Sequence, residues 1–178
     1  MKYKREICYP CAFPVHQPVP PSPRLFFTPL SPEPYPIDLP ENKLDVPIME
    51  FSVPAREVAR ARVQLNATIS TEIFADPGNG NGSGSFFNVN AITYKLFRDN
   101  MLLTDTLISG SYASGTNDET LYTFNSTFTW VDTPTDPIVP TDPIHYRIVA
   151  NIGDYEHVVR AQVRNRGFFG IAIPGDPV

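Results

Sequence analysis

Cys8 and Cys11 are the side chains of this sequence best suited to chemistry, and they form a Cys-Tyr-Pro-Cys motif. Such a pair is a thiol redox site when it opens a helix after a strand in a βαβ unit. Here no strand precedes the pair and prolines follow it closely, so redox catalysis is not favoured. A closed zinc site needs about four ligands, which His16 and a second copy of the chain would have to complete. An inert reduced pair and a disulfide between chains stay open as the main alternatives.

Other catalytic patterns are missing from the sequence. His145 and His157 are far apart, and each is expected at a surface or rim position. No serine lies in a Gly-x-Ser-x-Gly elbow and no HExxH motif occurs. The loop DPGNGNGSGS at 76–85 lacks the Gly-Lys-Ser/Thr ending of a phosphate loop, and it offers calcium only one charged ligand. We therefore expect no catalytic residues, no cofactor and no metal site.

Composition excludes several partners. The chain has 178 residues and a formal net charge of -5, which argues against binding the phosphate backbone of a nucleic acid. No apolar run approaches the roughly 20 residues that span a bilayer. The beginning, MKYKREICYPC, does not lead into the apolar segment of a secretory signal, so we expect Met1 to be the true start of a protein made without that route.

Residues 1–54 are predicted to form a proline-rich arm. Prolines fix φ and bias their neighbours toward extended backbone, so the arm should be extended and stiff. A disordered tail, an arm folded back on its own domain and an arm docked on a neighbouring subunit remain as alternatives. The last is favoured because apolar side chains are interleaved with the prolines. The candidate docking residues are Phe13, Val15, Val19, Leu25, Phe26 and Phe27.

The stretch from Arg60 to Phe74 alternates almost strictly between apolar and polar residues, which predicts a long strand with one buried face. We place the boundary between arm and domain near Pro54, and assign residues 55–178 to a β domain. Just upstream, Leu44 to Val53 is predicted to be a short edge strand, because Pro47 interrupts it.

Further alternating runs follow at regular intervals, and none has a sustained helical period. The predicted strands are 86–98, 101–109, 120–132, 144–152, 157–164 and 168–173, with a bulge within the first of them and a turn at 165–167. About eight strands without helices predict an all-β antiparallel sandwich, and we favour a jelly roll. The aromatic face of 120–132 suits either a core or a trimer seam.

Four stretches carry a resemblance to a known family. They are Ala61-Arg62-Val63-Gln64-Leu65, the Phe97-Arg98-Asp99-Asn100 turn within Ile92 to Leu107, the FTWVDTP run within Phe124 to Pro134, and the strand Val163 to Ile173. Together they resemble the small jelly-roll proteins of bacterial endospore surfaces and appendages, which are related in fold to the C1q and tumour-necrosis-factor heads. After FTWVDTP this chain inserts residues 135–143, where family members have a short turn.

The resemblance implies a structural protein of the spore surface or exosporium. Such domains are homotrimers, and appendage subunits join head to tail into a fibre through an N-terminal connector that engages the next subunit. It implies self-assembly, with other spore-surface proteins as further partners, and assembly inside the mother cell. The alternative is a non-catalytic binding module, such as a glycan-binding, receptor-binding or viral capsid or tail jelly roll, tethered by the arm.

Overall fold

The computed structural model describes residues 22–29, 35–58, 61–76, 86–113, 119–134 and 143–174. Ten strands and one four-residue helix make up this part of the chain. The strands are β1 (Arg24–Phe27), β2 (Ile37–Asp38), β3 (Val46–Val53), β4 (Ala61–Ala75), β5 (Phe86–Arg98), β6 (Met101–Ala113), β7 (Thr120–Asp132), β8 (Ile144–Ile152), β9 (Tyr155–Glu156) and β10 (Val158–Pro174). The helix α1 (Ala55–Val58) lies between β3 and β4.

The strands pair into two antiparallel sheets. The first has the order β1-β10-β4-β7, with β2 also pairing with β10, and the second has the order β3-β8-β5-β6, with β9 pairing with β5. Because β1 and β2 both pair with β10, they count as one interrupted first strand, and the two-residue β9 is left out of the count. The first strand then pairs with the last strand, β10, and the second strand, β3, pairs with the last but one, β8. This is the strand order of a jelly roll, so the predicted fold is confirmed.

The long alternating stretch becomes β4, the strand between β10 and β7 in the first sheet. Its inward residues are buried completely, as Val63, Leu65 and Ile73 show, while Arg62 and Thr68 on the other face are exposed. The two-residue period of a pleated strand explains this pattern. The prediction of one buried face is confirmed.

One predicted irregularity is confirmed and one predicted turn is wrong. The facing of β5 switches through a register shift between Val89 and Ile92, as expected of a bulge. Residues 165–167, in contrast, do not turn, because β10 continues through them with only a register shift between Val163 and Asn165. Pairing with the fifteen-residue β4 on both sides of that point overrides the local turn preference of Asn-Arg-Gly.

The predicted boundary near Pro54 does not coincide with the edge of the sandwich. Upstream of it, β1 and β2 pair with β10 and β3 pairs with β8. Leu39, which lies between these strands, is only 1% exposed and belongs to the core. As predicted, β3 is an edge strand, and its register shifts between Pro47 and Met49. The described part of the predicted arm therefore belongs to the β domain.

The core lies between the inner faces of the two sheets. At its centre the hydroxyls of Thr71 in the first sheet and Tyr94 in the second are 2.7 Å apart, and both residues are fully buried. Burial raises the pKa of Tyr94 to about 12. The backbone of Gly170 approaches this core closely, because a Cβ there would lie 2.8 Å from the Phe51 ring.

Candidate functional site

The residues predicted to contact a neighbouring subunit fall into two groups. Cys8, Cys11, Phe13, Val15 and Val19 lie outside the described residues. Leu25, Phe26 and Phe27 belong to β1, where they pair with β10 of the same chain. The short strand alternates, so Phe26 packs against the core while Leu25 and Phe27 are 60% and 59% exposed.

The exposed residues of β1 continue into an apolar patch on the outer face of the first sheet. Leu25 lies opposite Ile171, and Phe27 lies opposite Phe169. Ile173 extends the same outer row of β10 and is 40% exposed. We call Leu25, Phe27, Phe169, Ile171 and Ile173 the outer patch. Apolar side chains that are exposed next to one another are typical of interaction surfaces.

A charged cluster joins the two sheets at one end of the sandwich. Asp132, at the end of β7, is buried and accepts hydrogen bonds from Arg98 Nη1 at 2.8 and 3.1 Å. It also accepts one from the Tyr146 hydroxyl at 2.8 Å. Burial, followed by the charge of Asp132, raises the pKa of Tyr146 far above its ordinary range. We call these three residues the charged end.

The charged end unites two stretches that carried the family resemblance. Arg98 belongs to Phe97-Arg98-Asp99-Asn100, and Asp132 is the acidic residue of FTWVDTP. Sequence reasoning missed their contact, although one signal was available. The even-numbered residues of β7 share one face, and this face, which carries Phe128 and Trp130, is directed inward by the alternation of the strand. Asp132 is even-numbered and lies on the same face. A charged residue directed inward needs a partner of opposite charge.

Beside the charged end, Ser52 Oγ lies 2.8 Å from Nδ1 of His145. Both residues are exposed, as predicted for His145. Asp99 bonds the main chain of His145 rather than its ring, because its Oδ1 accepts the His145 amide at 3.1 Å and its own amide donates to the His145 carbonyl. In a catalytic triad the carboxylate holds the imidazole ring. These bonds therefore hold the turn after β5 against the start of β8.

His157 is exposed just after β9, with a positive φ of 57°.

The opposite end of the sandwich is held by aromatic rings. Phe87 is fully buried, with its ring centroid 5.2 Å from that of Tyr112 and 4.7 Å from that of Tyr122. Tyr112 also meets Phe124 edge-on at 5.0 Å. We call these four residues the aromatic end. The aromatic face of β7 thus packs into the core of its own chain at this end.

A cleft of about 700 Å³ opens beside β2, β9 and β10. Three carboxylate residues and one cation line it, namely Asp38, Glu41, Glu119 and Arg160. Tyr155 also lines the cleft, where its hydroxyl donates to the Leu39 carbonyl at 3.1 Å and its amide donates to Glu41 at 3.2 Å. Burial raises the pKa of Tyr155 above its ordinary range.

Among the described residues, a metal-binding cluster and a membrane-spanning helix are both absent. No three His, Cys, Asp or Glu side chains come together there as a group that could hold a metal ion. The same part of the chain contains no helix long and apolar enough to cross a membrane.

The strand order defines this chain as a jelly-roll protein. No family model matches it, and no curated protein matches it either. Solved structures similar to it include the VP2 subviral particle of infectious bursal disease virus, at 14% identity and a TM-score of 0.36, covering 86% of this chain and 33% of that one. The T=1 particles derived from the same virus match at 16% identity and a TM-score of 0.34, covering 86% of this chain and 32% of that one. The chain spans about a third of the length of these viral chains.

Proposed function

We propose that this chain is a non-catalytic structural subunit that assembles with copies of itself. The observation that carries the proposal is the outer patch, because it exposes Leu25 and Phe27 directly downstream of a proline-rich, apolar segment of the same chain. An exposed apolar surface costs free energy in water unless a partner covers it. A head-to-tail contact between the arm of one copy and the next copy is heterologous, and it generates a fibre when the rotation does not close.

The finer form of the proposal is a homotrimeric head, stacked through its arm into a fibre or coat layer on the surface or exosporium of a bacterial endospore. The sequence resemblance described above supports it. Cys8 and Cys11 are the candidates for locking the contact as a disulfide between chains.

Negative-stain electron microscopy of the full-length protein, with and without reductant, tests this proposal. Fibres with a regular repeat are the expected result, and their loss in reductant would assign the lock to the cysteines. Deleting residues 1–21, which leaves β1 in place, should give folded oligomers that no longer polymerise. Long fibres from that truncation would refute the role of the arm.

The cleft favours a second candidate function, a non-catalytic binding module. Carboxylates such as Glu41 and Glu119 accept hydrogen bonds from the hydroxyls of a glycan, and Val159 offers an apolar surface, being 60% exposed. Glycan-array binding by the full-length protein, lost in Glu41→Gln and kept in Asp105→Asn on the distant β6, would support it. Equal binding by both variants would locate the ligand elsewhere.

A further inference from the structure

Most sheet edges in the described part of this jelly roll have structural features that disfavour pairing with a further strand. The edge of the first sheet beside β10 is interrupted, because β1 and β2 have only four and two residues. The edge strand β3 contains Pro47 and a register shift. The edge strand β6 contains Asp105 and Gly110, and its pairing with β5 shifts register twice.

The outer edge of β7 has none of these features. The strand has thirteen residues, TLYTFNSTFTWVD, and its only charged residue is Asp132, which is held in the charged end. It contains no proline and no glycine, and it pairs with β4 along its whole length without a register shift. Among the described strands, none pairs with the other edge of β7 over 121–132. A long, regular edge whose single charge is already paired is a template for a further strand.

The inner face along this edge is also incompletely covered. Trp130 has the inward parity of Phe128, yet it is 38% exposed while Phe128 is 5% exposed. A strand added at the edge would extend the first sheet over such inward side chains. The edge therefore has both a row of backbone groups to pair and an aromatic surface to cover.

The prolines upstream of the described residues are spaced so that, in an extended strand, every residue along one edge would keep its backbone amide. Within residues 9–19, YPCAFPVHQPV, the prolines are Pro10, Pro14 and Pro18, all at even positions. Alternate residues of an extended strand direct their amide and carbonyl groups to the same edge. The odd residues all keep their amides and carry most of the large apolar side chains. They are Tyr9, Cys11, Phe13, Val15, Gln17 and Val19. Prolines confined to the outer side are the pattern of an edge strand.

We propose that residues 9–19 of one copy add as a strand to the outer edge of β7 in a second copy. This inference rests on the proposed self-assembly and names the contact surface for it. The same chain is poorly placed to supply this strand, because Val19 lies only five positions before Arg24 and five residue steps span at most about 18 Å. The added strand would lie four strand spacings from β1, about 19 Å across the sheet, so the linker would have to be fully extended and cross the sheet to reach it.

Trp130 makes the test direct, because it is the only tryptophan of the chain. We would measure acrylamide quenching of its fluorescence in the full-length protein across a dilution series, beside light scattering as the readout of assembly. Two variants form a matched pair. Val15→Pro removes an amide from the pairing edge, whereas Ala12→Pro adds a proline on the outer side.

Assembly of the wild type and of Ala12→Pro should shield Trp130 from acrylamide, and Val15→Pro should need about tenfold more protein to reach the same shielding. Equal shielding in all three would show that β7 pairs with something other than this segment, such as another β7, and would overturn the inference. Equal loss in both variants would also overturn it. Assembly with Trp130 still fully quenchable would refute this contact and leave the proposed function intact. A wild type that never assembles would refute both.

Discussion

The two ends of the sandwich join the same pair of sheets by different means. At the charged end, Asp132 from the first sheet holds Arg98 and Tyr146 from the second through directed hydrogen bonds. At the aromatic end, Phe87 is packed among the rings of Tyr112 and Tyr122. Ring packing depends on volume, and it tolerates substitutions that keep volume and apolar surface. A buried ion pair depends on every partner being present, because removing one leaves the other unsatisfied.

Phe87→Ala is expected to cause the largest loss of stability. The side chain is fully buried, so its removal should lower the free energy of unfolding by about 4 kcal/mol through lost burial and a cavity. Phe87→Leu retains most of the volume and should cost about 1.5 kcal/mol or less. Urea unfolding followed by circular dichroism measures both. If the leucine variant lost as much as the alanine variant, ring packing would be as intolerant as the ion pair.

Asp132→Ala is the corresponding change at the charged end. It leaves the guanidinium of Arg98, only 20% exposed, without its carboxylate and should cost about 3 kcal/mol. The double variant Arg98→Met with Asp132→Leu removes both charges and keeps the volume. It should be more stable than Asp132→Ala, although it contains one more substitution. If the double variant lost as much as Arg98→Met and Asp132→Leu lose when each is measured alone and summed, the pair would not be coupled.

Tyr146→Phe tests the third member of the charged end. It removes only the hydroxyl that donates to Asp132 at 2.8 Å, and hydrogen bonds to charged groups contribute about 2 kcal/mol. The ring itself, which lies 5.5 Å from that of Phe51, stays in place. The same urea unfolding applies, and a loss below about 0.5 kcal/mol would mean that Arg98 alone satisfies Asp132.

The same substitution should also change stability at alkaline pH. The pKa of Tyr146 is raised in the folded state, so this hydroxyl keeps its proton while an unfolded tyrosine ionises near pH 10. Its contribution is therefore full below about pH 10 and is lost as pH rises above it, by up to about 1.4 kcal/mol per pH unit. Tyr146→Phe should make this fall less steep, measured from pH 9 to 11.5. An unchanged slope would contradict the raised pKa.

Alternation along single strands predicted much of the fold from sequence. The buried face of β4, the bulge in β5 and the edge position of β3 are local patterns, and each is present. The sequence pattern does not predict strands β1 and β2, because segments of four and two residues are too short to show a period. These two strands form by pairing with β10. Local patterns do not predict the contact between Arg98 and Asp132, because these residues are 34 positions apart and meet only when the two sheets face each other.

Tyr122→Phe completes the comparison, since it makes the same chemical change as Tyr146→Phe at the aromatic end. The Tyr122 hydroxyl donates to the main-chain carbonyl of Ala113, near the surface. Water can replace that bond, so the loss should be only about 0.5 kcal/mol, and the contact with Phe87 should persist. The two tyrosine variants are unfolded in urea side by side. A loss for Tyr122→Phe as large as that for Tyr146→Phe would mean that hydrogen bonding, and not ring packing, holds the aromatic end together.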